Sequence, residues 1–200
     1  IFFKTISNVL KRKDVVVALD PLINIPLHIQ RKNSYPILTL QKLDINDLEY
    51  RVSLLNNIKI SPYLNVSEIF TLEKTKQWFS SIKSNKSRID FVIIYNNEKV
   101  GMGGLTSISK NDSQCELYMY LDPNHQGKGL GFKSCKALCD YAFIKLNLDK
   151  ILLYTFSNNS RANNLYEKVG FKLEKVLKGH TFKDGQLQDR NIYSLIKQIG

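Results

Sequence analysis

Three glycines fall within the short stretch Gln126-Gly127-Lys128-Gly129-Leu130-Gly131, between a strand-like run that ends at Asp122-Pro123-Asn124 and a long helical pattern that opens at Leu130. Residues without side chains at a strand-to-helix junction leave backbone N–H groups open where a helix begins. Those groups and the positive end of the helix dipole together make a seat for a phosphate or diphosphate. Lys128 adds a cation beside that seat; at an exposed site the cation and the dipole are each worth about 0.3–1 kcal/mol. The spacing is not that of a Walker loop, which requires Gly-x-x-x-x-Gly-Lys-Ser/Thr, nor that of the Gly-x-Gly-x-x-Gly dinucleotide fingerprint. Kinase and dehydrogenase chemistry therefore lose their main support. Taken alone, such glycines also suit a flexible turn.

A second constellation follows: Asn159-Ser160-Arg161-Ala162-Asn163-Asn164-Leu165-Tyr166-Glu167-Lys168-Val169-Gly170-Phe171. Gln126-x-x-Gly129-x-Gly131 resembles the acetyl-CoA motif of the GNAT acetyltransferases, and the second stretch resembles that family's signature Asn-x-x-Ala-x-x-Leu-Tyr-Glu-Lys-x-Gly-Phe. The two stand in the family's order, at its separation and on the expected elements. The similarity covers residues 37 to 198 and leaves residues 1–36 outside, as an appendage to one N-acetyltransferase domain.

The resemblance implies an α/β (α+β) fold, a mixed, mostly antiparallel sheet flanked by helices, with splayed fourth and fifth strands that receive acetyl-CoA between them. It implies that main-chain N–H groups of Gln126, Gly127, Lys128, Gly129, Leu130 and Gly131 take the pyrophosphate, with Leu130 also serving the helix core. Backbone around Leu121 would hold the pantetheine, and Asn159 would touch the cofactor near its pantetheine or pyrophosphate. Tyr166 would be the general acid for the departing thiolate, a role within reach of a phenol presented from a helix; packing beside Leu165 is the plainer alternative. Glu116 stands on the fourth strand, where some family members place a base for the incoming amine; an exposed strand glutamate is the plainer reading. His28, His125 and His180 are further titratable candidates, with His180 nearest the expected acceptor end, although a lone histidine is more often structural.

The elements that must position these groups are legible in outline. A strand over Ile37–Leu40 precedes Asp44, a candidate N-cap for a helix with Ile45, Leu48, Val52 and Leu55 on one face. Thr71 opens a second helix that turns Leu72, Thr75, Trp78, Phe79 and Ile82 inward. Strands are expected over Phe91–Tyr95 and Val100–Ile108, joined at Asn96-Asn97, and over Gln114–Leu121. Then come a helix over Leu130–Leu146, a strand over Ile151–Thr155 and a helix over Ser160–Val169 that ends on Gly170. A terminal hairpin of Phe171–Phe182, the turn Asp184-Gly185 and a strand near Asn191–Leu195 completes the chain.

Composition narrows the function classes. With 43% hydrophobic and 24% charged positions, the chain can fold around its own core. No apolar run approaches the roughly 18 residues that span a bilayer, and Ile1-Phe2-Phe3 meets Lys4 before a signal core can form, so a cytoplasmic protein with no membrane partner is expected. Cys115, Cys135 and Cys139 match no zinc pattern and read as core thiols, with no metal site. A net charge of +11 suits an anionic partner. The basic residues are scattered, however, which disfavours nucleic acid. The expected partners are a small-molecule amine acceptor and a second copy of the chain as a homodimer. The charge favours a phosphorylated acceptor such as a nucleotide-linked amino sugar, with protein N-termini or a polyamine as the alternatives. A catalytically silent acyl-CoA-binding module is the alternative of a different class.

Overall fold

The computed structural model describes residues 37–65 and 68–198; the appendage, with His28, lies outside the described residues. The chain forms β1 (Leu38–Lys42), α1 (Leu48–Leu55), α2 (Leu72–Ile82), β2 (Ile89–Tyr95), β3 (Glu98–Ser109) and β4 (Gln114–Leu121). It continues with α3 (Leu130–Asp140), β5 (Lys150–Phe156), α4 (Ser160–Val169), β6 (Lys172–Lys183) and β7 (Gln186–Ile196). The strands make one seven-stranded sheet in the order β1-β2-β3-β4-β5-β7-β6. Every neighbouring pair is antiparallel except β4 and β5.

Local chemistry explains most boundaries. Asp44 accepts from the N–H of Asn46 at 3.0 Å while Asp47 reaches back to the Asp44 N–H at 2.9 Å, a reciprocal cap that satisfies two orphan donors. The turn it caps is 3-10 and carries Ile45 outward, 53% exposed, so the inward face begins at Leu48 instead. Thr71 caps α2 through the N–H of Lys74. Asn96 and Asn97 both have positive φ, which the tight β2–β3 turn requires. Gly170, at φ 111°, closes α4 in the left-handed conformation.

Two expected boundaries move. The helix after Leu130 is α-helical only to Asp140; residues Tyr141–Lys145 form a wider turn, in which Leu146 donates to the carbonyl five residues back. The last strand begins at Gln186, well before Asn191, because pairing with β6 recruits polar residues that show no apolar alternation.

The sheet has two unlike faces. On one, α3 and α4 pack Leu130, Cys135, Leu138, Cys139 and Tyr166 against Leu117, Ile151 and Leu153. On the other, α1 and its neighbours cover a small cluster of Leu54, Ile60, Val92 and Met102, beside Tyr120. All three cysteines are buried and unpaired, as core thiols should be. Helix α4 is keyed to β5 by Asn163, which is buried, accepts from the Thr155 hydroxyl and donates to the Ser157 carbonyl at 3.0 Å.

Glycine has a specific use in β3. At Gly104 a Cβ would lie 2.5 Å from the Ile89 carbonyl oxygen and 2.7 Å from the Tyr118 ring. Its absence lets the Tyr118 ring lie across β3, so that its hydroxyl donates to Asp90, which Arg88 also grips with two hydrogen bonds of 2.7 and 2.8 Å. Gly104→Ala is therefore expected to cost about 1–3 kcal/mol of stability, as overpacking does; an unchanged urea midpoint would mean that Tyr118 is free to move aside. Asn163→Ala should also cost about 1–3 kcal/mol, because it leaves buried partners unpaired. A loss of only a few tenths in the same unfolding experiment would show that α4 is held by apolar packing alone.

Candidate active site

The gap between β4 and β5 is set by how little the two strands share. They pair at Gln114–Lys150, Cys115–Ile151 and Glu116–Leu152, and no further. The closed end is pinned by the Ser113 carbonyl, which accepts from the N–H groups of Asp149 and Lys150 at 2.8 and 3.0 Å. Beyond Glu116 the edge of β4 that faces β5 has no strand partner among the described residues. Unpaired strand edges offer backbone donors and acceptors to whatever lies along them.

At the open end stands the glycine loop. Gly127 and Gly129 have φ of 79° and 74°, a conformation that side chains resist, and a Cβ at either would meet nothing within 4 Å. The space before the loop is therefore open, and it faces the start of α3, whose N-terminus has no side-chain cap. The first N–H groups of that helix lack intrahelical acceptors. Open space before unused backbone donors is the arrangement that suits a diphosphate. Lys128 is exposed beside it. Gly131 serves differently, since a Cβ there would come within 3.2 Å of Leu165 and 3.6 Å of Leu121. It is the contact at which α3 and α4 close together over the end of β4. Leu130 is buried in the core, 2% exposed.

Gln126 fastens the loop at both sides. Its side-chain nitrogen donates to the Leu121 carbonyl at 3.1 Å, and its oxygen accepts from Arg161 at 2.6 Å. The loop is thus tied to the end of β4 and to the first turn of α4. Asn159 caps that same helix, accepting from the N–H of Ala162 at 3.2 Å. Its side-chain oxygen is committed to the cap.

Tyr166 projects from α4 into the apolar side of the sheet, 7% exposed, with its ring edge-on to Phe171 at 5.8 Å between centroids. Burial, reinforced by the nearby thiols of Cys135 and Cys139, pushes its phenol far above the ordinary tyrosine range. The group therefore stays protonated throughout the physiological range.

Glu116 is the last paired position of β4 and shares a sheet face with Tyr118 and Tyr120. That face is opposite the one covered by α3 and α4. From β7, Arg190 lies over the rings of Tyr154 and Phe156, at 5.1 and 5.8 Å, and interacts with Glu116. The two histidines within the described residues stand elsewhere. His125 closes the turn before the glycine loop. His180 is exposed in a register break of β6, with β7 and β5 between it and the gap.

Sequence reasoning did not single out Arg161, Asn163 or Arg190. Arg161 and Asn163 lie inside the motif that drew attention to Tyr166, but what they hold depends on contacts with Gln126, Thr155 and Ser157. Arg190 sits in a polar stretch of β7 and acquires its aromatic partners only through cross-strand register.

Comparison with known proteins agrees with this geometry. Residues 38–172 match the family described as "Acetyltransferase (GNAT) domain". The chain is 29% identical over 150 residues to the spermidine N(1)-acetyltransferase of Escherichia coli K12, covering 75% of this chain and 81% of the relative. Its fold is similar to that of the Vibrio cholerae spermidine N-acetyltransferase solved with CoA and spermine, with a TM-score of 0.77, 28% identity, and coverage of 80% and 95% of the two chains. A dodecameric structure of spermidine N-acetyltransferase from Vibrio cholerae is similar with a TM-score of 0.70 at 27% identity, covering 80% of this chain and 93% of the other. With a glycine-lined anion seat at the mouth of two parted strands and a family match across most of the domain, the chain belongs to the GNAT acetyltransferase family and is an acetyl-CoA-dependent N-acetyltransferase.

Proposed function

We propose that the acceptor is a primary amine of a polyamine. The observation that carries this reading is a cavity of about 250 Å³ between Pro62 and Tyr63, the end of β5 and the β6–β7 hairpin. Asn158, Asp184 and Gln188 line it with oxygen acceptors, and Tyr63 and Phe156 with aromatic faces. Lys183, the cation of that lining, turns its ammonium onto the carbonyls of Ser61 and Leu64 at 3.1 and 2.8 Å. Such walls suit a chain of ammonium groups, which carries donors and no acceptors. The similarity to spermidine acetyltransferases supports the same class. It displaces the nucleotide-linked amino sugar that the charge balance suggested; six of the 29 basic residues behind that balance precede Ile37.

In this reading the N–H groups of Gln126 through Gly131 and the Lys128 ammonium hold the diphosphate of acetyl-CoA. Backbone near Leu121 and the Asn159 amide hold the adjoining chain. When bound, acetyl-CoA supplies an acyl group activated as a thioester. An acceptor that enters as ammonium must lose two protons from nitrogen while one reaches the departing sulfur, as a C–N bond replaces a C–S bond, so one proton is released overall. Glu116 takes the proton that frees the amine for attack, directly or through water, the second leaves the nitrogen to water once the C–N bond has formed, and Tyr166 donates its hydroxyl proton to the sulfur. The acetyltransferase domain begins at residue 37 in this account, with residues 1–36 separate from it. For the expected homodimer, β6 is the last strand in the order and has no strand partner on its outer edge among the described residues.

The test is an acetyl-transfer assay over a panel containing spermidine, a peptide N-terminus and a nucleotide-linked amino sugar. Spermidine should be the best acceptor; turnover of the amino sugar without spermidine would reverse the assignment. Tyr166→Phe keeps the ring and removes the proton donor, so turnover should fall about 10²–10⁴-fold. The lower end is expected, because a thiol of pKa about 8.5 already leaves fairly well. Acetyl-CoA affinity and melting temperature should hardly change. Wild-type turnover in a folded Tyr166→Phe protein would remove Tyr166 from the mechanism.

A further inference from the structure

A diphosphate carries full negative charges, whereas backbone N–H groups and a helix dipole supply only partial positive ones. Side-chain cations complete such seats. A guanidinium suits them well, because its donors form a fixed fork that matches a pair of phosphate oxygens. Lys128 is one cation of the glycine loop, and the structure brings a second to the same loop from a different helix.

That cation is Arg161, exposed in the first turn of α4. Its Nη1 donates at 2.6 Å to the side-chain oxygen of Gln126, the residue that opens the loop. The nitrogen of the same amide is spent on the Leu121 carbonyl at 3.1 Å, so the amide is fixed with its oxygen toward Arg161 and keeps the guanidinium at the edge of the diphosphate seat. The position is unfavourable for a cation by itself. A positive side chain in a first turn opposes the helix dipole, and neither α3 nor α4 has an acidic residue in its first turn to offset the charge. Among the described residues Arg161 and Lys128 make no ion pair, whereas Arg88 is gripped by Asp90 and Lys99 by Asp47. Asp122, just before the loop, turns its carboxylate onto the N–H of Asn124 at 2.9 Å. The partner that Arg161 does have, a neutral amide oxygen, is a weaker acceptor for a guanidinium than a phosphate oxygen.

We infer that Arg161 is a further acetyl-CoA-binding residue, a side-chain cation that hydrogen-bonds a phosphate oxygen of the cofactor beside the glycine loop. The bond to Gln126 uses one of its N–H donors and leaves others for the phosphate. The signature Asn-x-x-Ala leaves position 161 open, so the assignment comes from the contact with Gln126 and not from the motif. It rests on the reading of the glycine loop as the diphosphate seat.

Calorimetric titration of CoA into the wild-type protein and Arg161→Met tests the inference without turnover. In about 0.05 M salt the variant should bind CoA about tenfold more weakly, the loss expected for one charge-assisted hydrogen bond. In about 0.5 M salt the difference should shrink to about twofold, because salt screens an exposed charge pair. Arg161→Lys should recover part of the loss, as a point charge without the fork. Dephospho-CoA, which lacks the 3′-phosphate, tells the two phosphate groups apart: an equal loss with it assigns Arg161 to the diphosphate, and a loss confined to CoA assigns it to the 3′-phosphate. Equal CoA affinity in the wild type and Arg161→Met overturns the inference. So does a loss of the same size at both salt concentrations that lysine does not recover, since that pattern reports support of the loop and not a phosphate contact. Gly129→Asp in the same titration separates this inference from the seat itself. Weak binding there beside unchanged binding in Arg161→Met leaves the seat standing without Arg161, and unchanged binding in both variants removes the seat as well.

Discussion

Three paired positions between β4 and β5 are the constraint on which the rest depends. A parallel pair that continued past Glu116 and Leu152 would consume the backbone groups along both edges and leave no room between them. The pairing instead stops early, and its closed end is locked by the Ser113 carbonyl and by the Ser113 hydroxyl on Asp149 at 2.7 Å. The open end is held apart and in register by another set of contacts. Gln126 joins the end of β4 to Arg161, and Gly131 lets Leu165 approach α3. Buried Asn163 fixes where α4 stands. A gap with rigid ends can present groups from both walls at constant separation, which is what positioned acid–base chemistry requires.

The two faces of the sheet divide the work. The face under α3 and α4 is apolar, and it keeps the Tyr166 phenol protonated by denying water to its anion. The opposite face carries Glu116, Tyr118, Tyr120, Tyr154 and three arginines, two of them linked to tyrosines or to Asp90 by hydrogen bonds. Arg51 donates to the Tyr120 hydroxyl at 2.8 Å and lies 4.0 Å from the centre of the Trp78 ring. Tyr166 and Glu116 therefore sit in environments that differ in polarity, on opposite faces of the sheet.

Much of this was legible in the sequence. The glycine loop, the α4 motif, the caps at Asp44 and Thr71 and the Asn96-Asn97 turn depend on neighbours within a few residues, so the chain states them locally. The path of β7 was legible only in part, because Gln186 through Arg190 alternate no apolar residues and become a strand only by pairing with β6 and β5. For the same reason Arg190 and Gly104 showed no role: each matters through a residue on another strand. Ile45 misled the helix reading, since the 3-10 turn rotates it outward. Whole-chain charge is a sum over every surface and does not resolve which side chains line a given cavity.

The central claim is that the N–H groups around Gly129 hold the diphosphate of acetyl-CoA at the mouth of the gap, and titration calorimetry tests it directly. Gly129→Asp puts a carboxylate where the structure has open space, at a left-handed position that Asp tolerates better than most side chains. The account predicts that acetyl-CoA binds this folded variant at least about tenfold more weakly than the wild type, a loss of 1.4 kcal/mol or more. Equal affinity in the two folded proteins would contradict it.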